Sequence, residues 1–148
     1  MAAQKAKFRQ LKILSKTILN YLVISQFCLF LLIGQASANN LAQINDHLAA
    51  VNLLIEQRDL SKAEELILDA LALAELIEDE KSRNQQLAKS YFLAGELAFL
   101  QKNLAAAIEN YRKVLKFKAD LNDQRLIASS QSKLAYSFFI GQDFPSAS

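Results

Sequence analysis

The sequence predicts an all-α protein, and three observations support that prediction. Hydrophobic residues make up 52% of the chain, and Ala and Leu, both good helix formers, are the commonest of them. Val and Thr, which favour strands, are scarce, and so are turn residues, with three Gly and one Pro in 148 residues. From residue 41 onward, apolar residues recur three and four positions apart, which is the spacing of one helix face.

A basic and then hydrophobic segment opens the chain. Residues 1–16 contain several Lys and Arg residues and none of the 15 acidic residues. The apolar stretch 21–33 follows, and Ala36 and Ala38 then form the small-x-small pattern that signal peptidase accepts. We therefore predict a secretory signal peptide that is cleaved after Ala38, so that the exported chain begins at Asn39.

Two alternatives to cleavage of residues 1–38 stay open. Residues 17–33 reach the short limit of a membrane-spanning helix, so the segment could remain as an anchor, or it could form a buried N-terminal helix. With a signal peptide or an anchor, the folded part is exported to the periplasm, and membrane contact is limited to 17–33 if the segment is uncleaved. The one cysteine, Cys28, lies in this segment, so the exported part has no disulfide and no thiol nucleophile.

One pattern occurs three times after this segment. The clearest copy begins at Gly95, and it aligns with residues from Ala135 at an offset of 40 and with residues from Val51 at an offset of 44. In each copy we predict two antiparallel helices, A and B, joined by a short turn and carrying one apolar stripe each. In the clearest copy, helix A is expected over 84–101 and helix B over 104–118. The three units cover residues 41–83, 84–121 and 124–148, the last being truncated in helix B.

Polar residues mark the predicted turns. Asp59, Asn103 and Asp143 stand at the three breaks, where a side-chain oxygen can cap the free N–H groups of the next helix. The acidic run 78–83 is expected to close helix B of the first unit as a solvated, charge-paired end.

Small residues are predicted where the two helices of a hairpin come closest. A glycine inside a helix costs about 1 kcal/mol relative to alanine, so Gly95 indicates that a larger side chain would force the helix axes apart. The same argument applies to the alanines at equivalent positions. The predicted contact positions are Gly95 and Ala135 on helix A and Ala63, Ala107 and Ala147 on helix B.

These features resemble the tetratricopeptide repeat family. The small residues, the aromatic Tyr111 and the β-branched Val114 match its pattern in the clearest copy, and Tyr91 matches its large aromatic residue on helix A. Ala94 departs from the family's Leu, and Ala119 stands where the family often has Pro. The long spacing resembles the extended class of these repeats in bacterial regulators. The resemblance covers the chain after the leader and implies hairpins stacked as a right-handed solenoid.

The resemblance also implies a groove, because helix A of this family lines a concave surface that holds peptides or partner segments. This groove would be apolar and aromatic, which suits a hydrophobic peptide or a helix, although Phe92 and Phe99 could equally pack on the next repeat. Chaperone-binding members grip a carboxylate with Lys, Asn and Arg, but Leu48, Phe92 and Ser132 stand where Lys or Arg is needed, so that clamp is absent. The implied groove residues are Asn45, Leu48, Asn52 and Ile55 in the first unit, Lys89, Phe92, Glu96 and Phe99 in the second, and Ser129, Ser132, Tyr136 and Phe139 in the third.

No pattern in the sequence predicts catalysis. His47 is the one histidine, and it has no evident partners for a metal site or for general-base chemistry. The sequence has no Gly-rich phosphate loop, nucleophile motif or metal-ligand cluster, so we expect no cofactor, no metal and no enzyme activity in this chain. The basic run 111–118 suits the C-terminal end of a helix dipole, and an exported protein is not expected to bind nucleic acid.

The expected function is an exported protein–protein interaction domain. Helix B of the third unit would begin near Phe144, so we expect the full product to continue and Leu134, Phe138 and Phe139 to lack a covering helix here. A leader followed by extended repeats resembles the N-terminal sensor part of bacterial membrane signalling proteins, with a diguanylate cyclase or histidine kinase downstream. The alternative is a stand-alone periplasmic scaffold or adaptor with no catalytic activity.

Overall fold

The computed structural model describes residues 25–26, 34–35 and 38–143. The chain divides into two units between Ala36 and Ser37, and the second unit holds the helices discussed below. The predicted signal peptide lies almost wholly outside the described residues, and so do most of its apolar stretch and Ala36. None of the helices in the described part of the chain is long and apolar enough to cross a membrane.

Five helices follow one another in residues 38–143, and no strand occurs in that range, which confirms the all-α class. The first two helices form one hairpin, the next two form a second, and the fifth begins where the third unit was predicted. The helices are α1 (38–56), α2 (Leu60–Glu75), α3 (Glu80–Leu100), α4 (Leu104–Lys116) and α5 (Gln124–Asp143).

The first helix of the second hairpin, α3, begins at Glu80, a few residues before the start at residue 84 that was predicted for helix A. α3 begins at Glu80 because Asp79 caps it, accepting a hydrogen bond from the backbone N–H of Ser82 at 2.8 Å. The acidic run 78–83 therefore opens α3, and α2 has already ended at Glu75. The negative charges of this run suit the positive end of the α3 dipole.

The turns of the two hairpins have the same backbone geometry. Arg58 and Lys102 take the left-handed conformation, with φ of 63° and 62°. In each turn the following N–H, of Asp59 or of Asn103, reaches back to the carbonyl five residues earlier at 2.9 Å. This hydrogen bond defines a Schellman motif, and the motif recurs at the offset of 44 at which the two sequences align.

Asp59 and Asn103 cap the helices that follow, as predicted. Asp59 accepts from the Lys62 N–H at 3.4 Å, and Asn103 accepts from the Ala106 N–H at 3.1 Å. The turn predicted at the third break is not formed before Asp143, because α5 remains helical up to Asp143, the last of the described residues. The residue before Asp143 stays helical, whereas the residue before each of the other two caps takes a positive φ that stops the helix.

The hairpin of α3 and α4 closes on Gly95. A Cβ placed there would lie 2.6 Å from Cε1 of Tyr111, a separation that side chains do not tolerate. Tyr111 is fully buried, so its ring has no free space to move into. In the first hairpin the equivalent positions hold Val51 and Ile67, both buried in one cluster. The two hairpins therefore fill equivalent spaces with different pairs of residues. The α3–α4 hairpin uses a glycine and a tyrosine, and the first hairpin uses a valine and an isoleucine.

The small residues predicted on helix B lie in the core where the structure describes them. Ala63 shares a buried cluster with Val51, and Ala107 shares one with Tyr111. Ala147 lies outside the described residues. Ala63 therefore sits between α1 and α2, and Ala107, whose cluster also contains Ala98 of α3, sits between α3 and α4.

The contacts between successive hairpins also correspond. Ala70 of α2 shares a buried cluster with Leu87 of α3, and Val114 of α4 shares another with Ile127 of α5. The alanine and the valine align at the offset of 44, and the leucine and the isoleucine align at the offset of 40. The helix that follows each hairpin therefore packs on it in the same way.

α3 is buried on two sides, whereas a single apolar stripe was predicted. Leu87 and Leu97 belong to clusters with α1 and α2, while Ala88 and Ala98 belong to clusters with α4. The reason is its central place, since α3 contacts α2, α4 and α5. α2 and α4, both described in full, do not contact each other. This order of contacts is compatible with a helical solenoid.

The contact predicted for Ala135 stays a prediction, because helix B of the third unit lies outside the described residues. Ala135 is exposed on α5, which packs on the preceding helices through its opposite side, where Ser130 and Ser137 are fully buried. Leu134, expected to lack cover, is half-buried against the cluster of α4. Phe138 stays exposed, with the Arg112 guanidinium 5.2 Å from its ring centroid.

Candidate binding face

Four side chains on α3 and α5 meet in two pairs, and we call them the inner face. Glu96 of α3 pairs with Lys133 of α5, and Phe99 of α3 contacts Tyr136 of α5. Both pairs span 37 residues, so α3 and α5 run side by side in the same direction. Glu96, Phe99 and Tyr136 were predicted to line the groove, and the structure brings these three together.

Glu96 is the polar centre of the inner face. One carboxylate oxygen accepts a hydrogen bond from the Tyr111 hydroxyl at 2.5 Å, and the other accepts from Lys133 Nζ at 2.7 Å. Hydrogen bonds to a charged group are stronger than neutral ones, and both of these are partly shielded from water. One carboxylate thus joins α3 to α4 and to α5.

Burial of Tyr111 raises the pKa of its hydroxyl, and the hydrogen bond to Glu96 and the charge of that carboxylate raise it further. The phenolate would be desolvated and would face a carboxylate, so the neutral form is strongly favoured. Tyr111 therefore acts as a fixed hydrogen-bond donor that orients Glu96.

Aromatic rings form the apolar part of the inner face. The rings of Phe99 and Tyr136 lie 5.8 Å apart at 38°. Tyr136 is 53% exposed, and the nearby Phe139 is 62% exposed. Phe139 follows Ala135 by one helical turn, so it lies at the edge between the inner face and the side of α5 that carries Ala135. Exposed aromatic side chains in a cluster are typical of binding surfaces.

Phe92, also predicted for the groove, belongs to the hairpin core. It is half-buried, and its ring lies 6.0 Å from that of Tyr111 at 56°. The alternative was that Phe92 packs on the next repeat, but its ring partner, Tyr111, lies in its own hairpin. Phe99 packs on α5, against Tyr136, and it stays half-buried.

Lys89 lies away from the inner face. It lines an open pocket of about 640 Å³ between α3 and the loop that precedes α5. The amide of Asn84 holds this loop to α3 by donating to the Asp120 carboxylate at 2.7 Å. Arg125 adds a second positive charge to the pocket, and Asp123 is already used to cap the first N–H groups of α5. No buried polar group lines this pocket, which is a surface depression.

The predicted groove residues of α1 separate into two groups. Leu48 is a core residue, because α1 turns it toward α2 and α3, where it is 8% exposed in a buried cluster. Ile55 is half-buried against the neighbouring cluster. Asn45 and Asn52 are exposed, and the Asn52 amide donates to the Leu48 carbonyl of its own helix at 3.1 Å. Ser129 and Ser132, on α5, are exposed as well.

Among residues 38–143, no three His, Asp or Glu side chains stand close enough to hold a metal ion. Within the described part of the chain, Nδ1 of His47 and Oε1 of Gln86 are buried without a hydrogen-bond partner. Phe99 and Tyr136 give the inner face apolar contact area.

Lys133 is the residue of the inner face that the sequence analysis did not predict. The signal was an opposite charge 37 positions after Glu96, the same distance that separates Phe99 from Tyr136. That distance differs from the offset of 40 at which the repeats align, because neighbouring helices touch through different positions of the repeat. The register between α3 and α5 was therefore needed to find it.

Comparisons of this chain with models of known protein families, with curated proteins and with solved structures gave no match.

Proposed function

We propose that the residues after the leader form a tetratricopeptide-type protein–protein interaction domain whose inner face binds a peptide or a partner segment. The observation that carries this proposal is the aromatic pair of the half-buried Phe99 and the exposed Tyr136, set beside a carboxylate, Glu96, whose hydrogen bonds are already satisfied. Such a surface offers apolar contact area without a desolvated, unpaired charge.

The recurring hairpin geometry supports the family assignment. The two Schellman turns share their dihedral angles and hydrogen bonds, and equivalent residues fill equivalent clusters in successive units. α3 and α5 are the A helices of neighbouring units, and they run parallel in contact, as helices that line one groove must.

The ligand class follows from the side chains available. Glu96 and Lys133 neutralise each other, so neither sign of charge is preferred at the centre of the inner face. Of the three positions at which a carboxylate clamp would need a cation, Leu48 is buried, Phe92 is packed inside the hairpin, and Ser132 is uncharged. We therefore propose an uncharged segment with aromatic or aliphatic side chains as the ligand.

The leader supports an extracytoplasmic location. The basic, apolar and small-residue parts occur in the order that export signals require, and the folded part carries no cysteine. We propose a periplasmic domain, cleaved or membrane-anchored, that belongs to the sensor part of a bacterial membrane signalling protein.

Selection from a random 12-residue peptide library on the purified chain tests the binding function. We expect enrichment of peptides with aromatic and aliphatic residues, and we expect Tyr136→Ser to weaken the binding of selected peptides at least tenfold in calorimetry. Leu68→Ser is the matched control, because Leu68 is similarly exposed, at 60%, on α2. Selected peptides that bind the Tyr136→Ser and Leu68→Ser variants equally well would refute the inner face as the site.

A further inference from the structure

The ammonium group of Lys133 has hydrogen-bonding capacity that the described residues do not use. An ammonium group carries three N–H donors and no acceptor. Among residues 38–143, Lys133 Nζ donates to one partner, the Glu96 carboxylate, at 2.7 Å. The Lys133 side chain is 40% exposed, so water reaches the remaining N–H groups. Two donors of Lys133 are therefore left for water or for a ligand.

Lys133 stands next to the aromatic rings of the inner face. It precedes Tyr136 by three residues on α5. Glu96 likewise precedes Phe99 by three residues on α3. Residues three apart on a helix are neighbours on one face, and the rise between them is about 4.5 Å at 1.5 Å per residue. The ion pair and the ring pair are thus adjacent across the two helices, and a ligand that covers the rings also comes over Lys133.

Covering Lys133 is unfavourable unless the ligand supplies a hydrogen-bond acceptor. A donor that loses water without gaining a partner bears the full desolvation cost of that group, and the cost is larger for a charged group. The ligand must therefore present an acceptor beside the side chain that lies on Phe99 and Tyr136. A carboxylate does not suit this role, because Glu96 already neutralises the charge of Lys133 and would repel a second anion. An uncharged acceptor is needed.

Main-chain carbonyl groups are the uncharged acceptors that every peptide carries. In a helix each carbonyl accepts the N–H of the residue four positions later, except in the last turn. In a single extended segment the carbonyl groups are free. The step of about 3.3 Å between its residues is comparable with the rise between Lys133 and Tyr136. An extended segment can therefore place a carbonyl at Lys133 and an apolar side chain on the neighbouring rings.

We infer that Lys133 donates a hydrogen bond to a main-chain carbonyl of an extended segment, beside the residue whose apolar side chain lies on Phe99 and Tyr136. This inference rests on the proposed function of the inner face, and it adds the conformation of the ligand and the residue that contacts its backbone. Lys133 is held in place for this role, because Glu96 accepts from it with one oxygen and from the Tyr111 hydroxyl with the other.

Ester substitution in the backbone of a bound peptide tests this inference. The probe is the tightest-binding peptide of the library selection, synthesised again with one amide N–H at a time replaced by an ester oxygen, which makes that carbonyl a weaker acceptor. One such ester, next to an aromatic or aliphatic residue, should weaken binding to the parent chain about fivefold or more in calorimetry. The amide peptide and the same ester should bind the Lys133→Met variant with affinities equal within about twofold, because the donor is gone.

Two variants serve as controls. Lys89→Met removes an exposed lysine of α3 that lies away from the inner face, and it should retain the full effect of the ester. Lys133→Arg keeps N–H donors at the same position, so it should retain the effect as well. Helix content by circular dichroism should be the same in the parent chain and in these three variants. Because the effect is a difference between two peptides on one variant, a general loss of affinity in Lys133→Met does not imitate it.

Two results would overturn the role of Lys133. The first is that no ester weakens binding to the parent chain, or that Lys133→Met leaves the effect of every ester unchanged. The second is added helix in the circular dichroism of the complex beyond the sum of its components, since a helical ligand has no free carbonyl at its centre. If binding still depends on Tyr136 in either case, the function of the inner face stands. Peptides that bind Tyr136→Ser as tightly as the parent chain would refute that function and this inference together.

Discussion

At Gly95 the α3–α4 hairpin has no room for a Cβ, and the fully buried ring of Tyr111 fills the space that a side chain would occupy. The first hairpin reaches the same closeness with Val51 and Ile67. The chain therefore contains two solutions to one packing problem, and residues from the two solutions are not interchangeable one at a time.

This non-interchangeability gives a test by a double-mutant cycle. Gly95→Val should lower the free energy of unfolding by about 1–3 kcal/mol, since overpacking strains a filled core. Tyr111→Ile should also destabilise, because it leaves a cavity and removes a donor from Glu96. The double variant carries Val and Ile, as the first hairpin does at Val51 and Ile67. In urea unfolding, its loss of unfolding free energy should be smaller than the sum of the two single losses by about 1 kcal/mol or more. Additive losses would mean that the two side chains do not share one space.

Tyr111 also predicts a pH dependence. Its pKa is raised in the folded state, so its contribution to stability is complete below about pH 10, the unfolded pKa of tyrosine, and is lost as the pH rises above that value. Above pH 10, the free energy of unfolding of the parent chain should fall by about 1.4 kcal/mol per pH unit more than that of the Tyr111→Phe variant. Tyr136→Phe, at an exposed position, is the control and should follow the parent curve. Parallel curves for the parent and Tyr111→Phe would contradict the assigned burial of the phenol.

At the level of helices, local hydrogen bonds set the boundaries. Asp59, Asp79, Asn103 and Asp123 each cap a helix, and two of these caps were identified from the sequence. The caps at Asp79 and Asp123 were not predicted, because the sequence before each of them shows no clear end of an apolar helical pattern. The left-handed residues before Asp59 and Asn103 are lysine or arginine, at positions where many helices use glycine.

Replacing these residues with glycine should stabilise the protein. Lys102→Gly and Arg58→Gly should each raise the free energy of unfolding by about 0.5–1 kcal/mol, because the left-handed conformation strains a residue with a Cβ more than glycine's chain entropy costs. Gln101→Gly is the matched control: it lies one residue earlier with φ of −75°, and it should destabilise or have no effect. Thermal unfolding measures the effect. If Lys102→Gly lowers the stability, the contacts of the Lys102 side chain contribute more stability than its left-handed backbone conformation costs.

At the level of the whole molecule, α3 holds the assembly together. It contacts α2, α4 and α5, and its Glu96 carboxylate bridges the last two of these helices through Tyr111 and Lys133. The inner face depends on how α5 is oriented on this framework, because Lys133 and Tyr136 belong to α5.

The export of the whole chain is testable by its N-terminus. Mass spectrometry of the exported product should show a chain that begins at Asn39. Ala38→Leu should prevent cleavage by replacing a small residue that signal peptidase needs, and Gln35→Leu should leave cleavage unchanged. An intact Met1 in the exported parent chain would favour the anchor, and sequence beyond Ser148 that ends in a polar capping helix would favour the scaffold over the sensor.

Much of the fold was predictable because it depends on local patterns. The helical class, the offsets of 40 and 44, the caps at Asp59 and Asn103 and the close contact at Gly95 all follow from spacing and propensity along the chain. Of the candidate site, Glu96, Phe99 and Tyr136 were named from their repeat positions. Leu48 and Phe92 were assigned to the groove, although Leu48 lies in a buried cluster and Phe92 packs against Tyr111, because repeat position does not tell which neighbours a helix has.

The sequence by itself determined which segments are helices, how the first two hairpins turn and where their helices must come close, since each of these features is set by residues near one another in the chain. Only the tertiary structure decided that Glu96 meets Lys133, that α3 is buried on two sides and that Ala135 is exposed. The physical reason is that these features depend on the register and rotation of one helix against another. Packing summed over the whole core sets that register and rotation, and no short sequence pattern encodes them.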